Sequence, residues 1–140
     1  MTIDRAALHI PDDFRHWSGD PAEDHVGPFF YKPLGAGQVQ TAFRPRPHHC
    51  NTYGGVHGGV LMTFADYTLC LAAMQGESDT VVTVSATCDF LDAAREGELL
   101  LGDGETMRVT GSLVFVRATI RAGERIVMTA SGVIKRVRGT

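Results

Sequence analysis

The chain lacks the features that would assign it to several specialised classes of protein. Its three cysteines, Cys50, Cys70 and Cys88, are odd in number and far apart, which favours reduced thiols over a disulfide framework. A net charge of -3 excludes the basic excess of a general nucleic-acid binder. The first residues lead into no apolar leader, and the one long apolar run is short for a membrane span. We therefore expect a cytoplasmic protein that binds neither nucleic acid nor membrane.

Motifs for nucleotides and metals are also missing. The Gly-rich segment 54–59 matches neither the dinucleotide fingerprint nor the P-loop, which needs a lysine. His48, His49 and Cys50 are adjacent, so their side chains would point to opposite sides of an extended chain, and no second cluster follows at zinc spacing. We expect no metal and no redox cofactor.

Length and hydrophobic patterning predict one α+β domain over residues 1–140. Residues 1–37 form an N-terminal extension that packs on it, in which Pro11 could begin a short helix over 11–17. Apolar residues on nearly all sides of the segment 57–75 predict a long central helix, with Gly76 as its stop signal.

Extended segments are predicted on both sides of this helix. Residues 38–43 alternate polar and apolar side chains before it, and residues 82–90 do so after it, with the even-numbered side chains on one face. Three further strands, joined by short Gly-containing turns, follow at 98–109, 113–121 and 125–137. We expect a curved antiparallel sheet that wraps the helix.

Asp66 is the only formally charged residue between Pro47 and Gly76, and it lies in the most hydrophobic run of the chain. Burying a carboxylate without a partner costs stability, so Asp66 needs a hydrogen-bond donor, a pocket or a function. Hydrogen bonds to Thr63 or Tyr67 would give it a structural role. The glycines at the start of the same helix favour catalysis instead.

His57, Gly58 and Gly59 open the predicted helix and indicate a site for a carbonyl oxygen. The first N–H groups of a helix lack internal partners, and the helix dipole makes that end electropositive. An oxyanion formed during acyl transfer would be stabilised there. Asn51 could add a side-chain N–H or simply form an Asx turn, and His57 could take part or only cap the helix.

The spacing along the helix predicts an oligomer. Asp66 follows Gly58 by eight residues, a rise of about 12 Å, so the two residues cannot contact one carbonyl. A two-fold dimer with antiparallel helices would bring Asp66 of one chain to Gly58 of the other and form two composite sites.

The pattern Asn51-x5-His57-Gly58-Gly59-x6-Asp66, with Thr83 at the start of the next strand, resembles the hotdog-fold acyl-CoA thioesterases of the phenylacetate-pathway and thioesterase-superfamily-member-2 type. The resemblance implies that the chain hydrolyses an acyl-CoA or aryl-acyl-CoA without a cofactor, as a homodimer that assembles into a homotetramer. Asn51 and the Gly58 N–H would bind the carbonyl, His57 would orient the thioester, Asp66 would be general base or nucleophile, and Thr83 would help to hold water.

The resemblance also implies substrate contacts. Gly59, Phe64 and Tyr67 would line the site near the interface. Relatives commonly carry a basic residue for the coenzyme A phosphates where this chain has Asp92, and Arg95 would compensate. Further candidates for that role are Arg117, Arg121 and Lys135.

Two alternatives remain open at this point. The chain could be a non-catalytic hotdog module that binds or senses an acyl thioester, although no DNA-binding segment precedes residue 38. A hotdog dehydratase would need an Asp–His pair in a different arrangement, which the sequence does not offer.

Overall fold

A computed structural model describes residues 3–74 and 79–137. The predicted architecture is confirmed, because a long helix packs against one curved antiparallel sheet of six strands in the order β1-β2-β4-β5-β6-β3. The elements are α1 (Arg5–Leu8), α2 (Pro21–Val26), β1 (Phe30–Gly35), β2 (Gln38–Phe43), a short 3-10 helix (Pro47–His49), α3 (Gly58–Ala73), β3 (Thr80–Phe90), β4 (Leu100–Thr110), β5 (Leu113–Ala122) and β6 (Arg125–Val137).

The N-terminal segment differs from the prediction. No helix begins at Pro11, because the chain turns there and Arg15 then forms a β-bridge with Tyr31 of β1. The two short helices α1 and α2 lie on either side of this turn and begin at the capping residues Asp4 and Asp20. The strand β1 belongs to the sheet, and the bridge at Arg15 covers part of its outer edge.

The central helix α3 is where the sequence predicted it, from the N-cap His57 to Ala73. The predicted stop at Gly76 lies outside the described residues. The helix comes close to β4 at Gly104, where a Cβ atom would lie 3.0 Å from the backbone oxygen of Thr68. Within residues 3–74 and 79–137, no helix has the length and apolar composition that crossing a membrane requires.

The strand β3 lies at the other edge of the sheet and carries a bulge. Thr83 pairs with Ile134 of β6 whereas Ser85 pairs with Val133, so Val84 is an extra residue. The simple alternation predicted for 82–90 is therefore wrong. Thr83 faces the helix on one side of the bulge, and the even-numbered Cys88 and Phe90 face it on the other.

Candidate active site

The first turn of α3 leaves one backbone donor available. His57 caps the helix, since its Nδ1 accepts a hydrogen bond from the Gly59 N–H at 2.9 Å. Its carbonyl oxygen accepts from the N–H groups of Val60 and Leu61 at 3.0 and 3.1 Å. The Gly58 N–H has no partner among the described residues. It is the group that can donate to a ligand at the electropositive end of the helix.

Asn51 lies in the loop before α3. This loop is held to the segment after β3, because the Val56 N–H donates to the Ala94 carbonyl at 2.8 Å. The Asn51 side-chain oxygen accepts from the N–H groups of Tyr53 at 2.9 Å and Gly55 at 3.3 Å, which is the Asx turn considered above. The turn orients the amide and leaves its nitrogen without an acceptor among the described residues.

Asp66 is half-buried on the side of α3 that faces β3. Its Oδ1 accepts a hydrogen bond from the Thr83 hydroxyl at 2.5 Å, and the Cys70 sulfur lies 3.9 Å from the same oxygen. The structural partners considered from the sequence do not bind it, because Thr63 donates to a backbone carbonyl and the Tyr67 hydroxyl has no partner among the described residues. The structure therefore brings Asp66 and Thr83 together.

The thiol beside this pair is not a competing nucleophile. Burial, together with the charge of Asp66, raises the pKa of the Cys70 thiol to about 12. Only the thiolate is strongly nucleophilic, so Cys70 is inert near neutral pH.

Asp66 and Thr83 open into a cavity of about 420 Å³. Its other walls include Trp17, Asp20 and Glu23 of the N-terminal segment, which the sequence analysis did not identify as site residues. A signal was present: an aspartate N-cap, a proline at N1 and a glutamate at N3 are typical of a helix start. The Asp20 carboxylate indeed accepts from the Glu23 N–H at 3.0 Å.

The two halves of the candidate site lie apart within one chain. A Cβ atom on Gly58 would lie 3.4 Å from the Phe90 ring, at the end of β3 opposite Thr83. Because Asp66 is two helical turns further along α3, about 12 Å separates it from Gly58. One carbonyl cannot contact both residues of the same chain.

Comparison with known proteins identifies the family. The model of the thioesterase superfamily matches residues 53–129, more than half of the chain and the part that contains α3 and β3. The chain belongs to the thioesterase superfamily.

Individual relatives support this family assignment. The Pseudomonas aeruginosa protein PA0474, provisionally named an esterase, is 33% identical over 129 residues, which cover 90% of this chain and 96% of that protein. Among solved structures, PaaI from the E. coli phenylacetic acid degradation operon has a TM-score of 0.78 at 19% identity, covering 87% of this chain and 88% of that one. A hypothetical thioesterase from Streptococcus pneumoniae, solved with coenzyme A, has a TM-score of 0.72 at 22% identity, covering 78% and 88%. These structures establish the hotdog fold.

The residues predicted to contact substrate lie in different parts of the structure. Phe64 is fully buried and packs against two phenylalanine rings at 5.2 and 5.5 Å, so we assign it to the core rather than to substrate contacts. The Gly59 N–H is already bonded to His57. Tyr67 lines the Asp66 cavity. Arg95 is exposed near the start of α3, where its backbone bridges to Gly55, and it forms no ion pair with another described residue.

Most other basic candidates for the phosphates are engaged. Arg117 and Arg121 each pair with an acidic residue of β4. Asp92, the residue that departs from the pattern of relatives, pairs with Arg125 at 3.0 Å. Lys135 is exposed on β6. Arg95 remains the phosphate candidate that lies beside the loop before α3 and forms no ion pair with a described residue.

The histidines before the loop have a structural role. His49 accepts the Arg46 N–H through Nδ1 at 2.8 Å and donates through Nε2 to the Val26 carbonyl at 2.6 Å. Burial lowers the pKa of His49, so the neutral ring ties α2 to the loop. The described residues contain no cluster of three side chains that could hold a metal.

Proposed function

We propose that this chain hydrolyses acyl-CoA thioesters to a free acid and coenzyme A, in composite sites formed by two copies of the chain. The observation that carries the proposal is the Asp66 carboxylate, held by Thr83 at 2.5 Å and open to a cavity. Membership of the thioesterase superfamily supports hydrolysis. The Streptococcus pneumoniae thioesterase solved with coenzyme A supports this carrier.

The chemistry would divide between the chains. The Gly58 N–H and the Asn51 amide of one chain would donate to the thioester oxygen and stabilise the charge that develops there. Asp66 of the other chain would accept a proton from the water that attacks the carbonyl carbon, or attack that carbon itself. On the general-base route, the C–S bond then breaks and the proton passes to the leaving sulfur. On the nucleophilic route, the C–S bond breaks as Asp66 forms a mixed anhydride, and water then hydrolyses the anhydride to the free acid, with a proton from that water going to the thiolate. The Thr83 hydroxyl fixes one carboxylate oxygen and leaves the other for water.

The exposed edge of β3 supports the dimer. No described strand pairs with this edge, and Val82 and Val84 on it are 47% and 59% exposed. Unpaired edges of this kind readily accept another strand. An antiparallel pairing of two β3 strands would place the Thr83 end of one beside the Phe90 end of the other. It would thereby bring Asp66 towards the partner's Gly58.

The proposal also includes assembly into a homotetramer and a location in the cytoplasm. Met107 and Phe115 are 52% and 39% exposed on β4 and β5. They supply apolar surface for a second interface in a homotetramer. The three cysteines are free and half-buried, which supports the reducing cytoplasm as the location.

The proposal is tested by the release of free thiol from a panel of aryl, short, medium and long acyl-CoAs. Asp66→Asn should lose about 100-fold or more of kcat, as removal of a general base does. Light scattering should find its assembly unchanged. Asp12→Asn, which alters an exposed aspartate of the N-terminal turn, is the matched control. Acyl-CoA binding without thiol release from the wild type would instead favour the non-catalytic module.

Mixed dimers test the composite site separately. Asp66→Asn and Asn51→Ala chains should each be nearly inactive alone, because each damages both sites of its homodimer. Random co-assembly would restore one intact site in every mixed dimer, or about one quarter of wild-type sites. Co-expressed chains without any recovery of activity would contradict the division of the site between two copies.

A further inference from the structure

The cavity beside Asp66 has an unusual charge. Two of its walls are acidic, since Asp20 and Glu23 come from the N-terminal segment and face Asp66 on α3. No basic side chain is among the described residues that line it. A second anion inside this cavity would meet the like charges of Asp20 and Asp66, with no compensating cation among the lining residues that the structure describes.

Glu23 is the carboxyl most affected by these surroundings. Burial, then the neighbouring charges of Asp20, Asp66 and Asp24, raises the pKa of Glu23 to about 8. The carboxyl is therefore mostly protonated at pH 7 and mostly ionised at pH 9. The other titratable groups around it lie on its own helix, on α3, at the start of β3 and before α2: Asp20, Asp24, Asp66, Tyr67, Cys70, Asp79 and His16.

The charge of coenzyme A decides which part of the substrate enters. Coenzyme A carries phosphates, which the acidic walls repel, whereas the Arg95 that would lie near this composite site comes with Gly58 from the other copy of the chain. The thioester carbon must lie next to Asp66, and Asp66 opens into this cavity. The acyl group therefore extends towards Glu23 and Tyr67.

Building on the thioesterase function proposed above, we propose that this cavity binds acyl groups without charge and excludes those that end in a carboxylate, and that Glu23 strengthens this exclusion as the pH rises. A terminal carboxylate is repelled by the carboxylates of Asp20 and Asp66, and additionally by Glu23 once that group loses its proton.

Binding is measured by titration calorimetry with three non-hydrolysable thioether analogues of coenzyme A, matched in length to hexanoyl, 6-hydroxyhexanoyl and adipoyl groups. The adipoyl analogue should bind the wild type at least about 10-fold more weakly than the hydroxyl analogue at pH 9. This ratio should be smaller at pH 7, where Glu23 is mostly neutral. The wild-type measurement needs no variant, so it is independent of any folding defect.

Variants then test whether Glu23 causes this pH dependence of the binding ratio. Glu23→Gln should abolish the change of the ratio between pH 7 and pH 9, whereas Glu124→Gln, in the exposed β5–β6 turn, should keep it. Equal binding of the adipoyl and hydroxyl analogues to the wild type, or an unchanged pH dependence in Glu23→Gln, would overturn the proposal.

Thiol release from the corresponding thioesters separates this inference from the proposed function. Selective binding of the analogues without any hydrolysis would refute the proposed catalysis and leave the cavity assignment standing. Hydrolysis that does not distinguish adipoyl from 6-hydroxyhexanoyl thioesters would refute the cavity assignment and leave the proposed catalysis standing. Absence of both binding and hydrolysis would overturn the two together.

Discussion

The hydrogen bond from Thr83 to Asp66 offers the sharpest test of how the carboxylate is used. Thr83→Val keeps the size and β-branching of the side chain on β3 and removes only the hydroxyl. The 2.5 Å contact with Asp66 Oδ1 is then lost, while the backbone pairing of Thr83 with Ile134 is retained. The variant therefore separates orientation of the carboxylate from the integrity of the sheet.

The size of the effect follows from the chemistry of this contact. A hydrogen bond to a charged group contributes about 1.5–3 kcal/mol. Since about 1.4 kcal/mol corresponds to a factor of ten in rate, kcat should fall about 10- to 100-fold. KM should change little, because Thr83 contacts the carboxylate and not the thioester carbonyl. Thr83→Ser restores the hydroxyl and should recover most of the rate.

The measurement is steady-state thiol release at saturating acyl-CoA, with the thermal midpoint recorded for each variant. Cys70→Ala is a useful comparison, because its sulfur lies 3.3 Å from the Thr83 hydroxyl and 3.9 Å from the same Asp66 oxygen, and a thiol forms only weak hydrogen bonds. It should retain nearly all activity. A Thr83→Val protein with wild-type kcat would show that the hydroxyl does not orient the base.

Three further predictions test the rest of the site and the core. Gly58→Ala should fold, because its Cβ would lie 3.4 Å from the Phe90 ring. The backbone N–H is retained, but kcat/KM should fall because the methyl group would crowd the approach of the carbonyl; an unchanged kcat/KM would show that the carbonyl does not bind this close to Gly58. The lowered pKa of His49 means that the unfolded chain binds its proton more readily, whereas the raised pKa of Glu23 acts in the opposite direction. In Glu23→Gln, which removes the opposing titration, the free energy of unfolding should be constant above about pH 7 and lower at pH 5.5 than at pH 7.5, as measured by urea titrations. Gly104→Ala should destabilise the chain by about 1–3 kcal/mol through contact with Thr68, and a wild-type melting temperature would contradict this packing argument.

Much of this arrangement could be predicted because local patterns determine it. The helix over 58–73 follows from a glycine-rich start and a continuous apolar run, and β4 to β6 follow from alternation interrupted by short turns. The isolation of Asp66 in its sequence surroundings pointed to a half-buried carboxylate, and its spacing from Gly58 separated the two halves of the site. These conclusions required only the residue spacing along a helix and the alternation of side chains along a strand.

What the sequence could not provide depends on contacts between distant segments. Glu23 and Trp17 reach the Asp66 cavity only because α2 packs on α3, and no local pattern encodes that packing. Phe64 shows the reverse case, since an aromatic residue two positions before Asp66 is equally compatible with a substrate contact or a core position. Its burial against neighbouring rings decides for the core.

The extra residue at Val84 limits the insertions and deletions that β3 can tolerate. A strand of regular pleat presents odd or even positions to one side along its whole length, so it could offer Thr83 or Phe90 to α3 but not both. The bulge changes the parity midway. Deleting one residue here would rotate one end of the strand outwards, so length variation in β3 should abolish the proposed hydrolysis even where every chemically active side chain is retained.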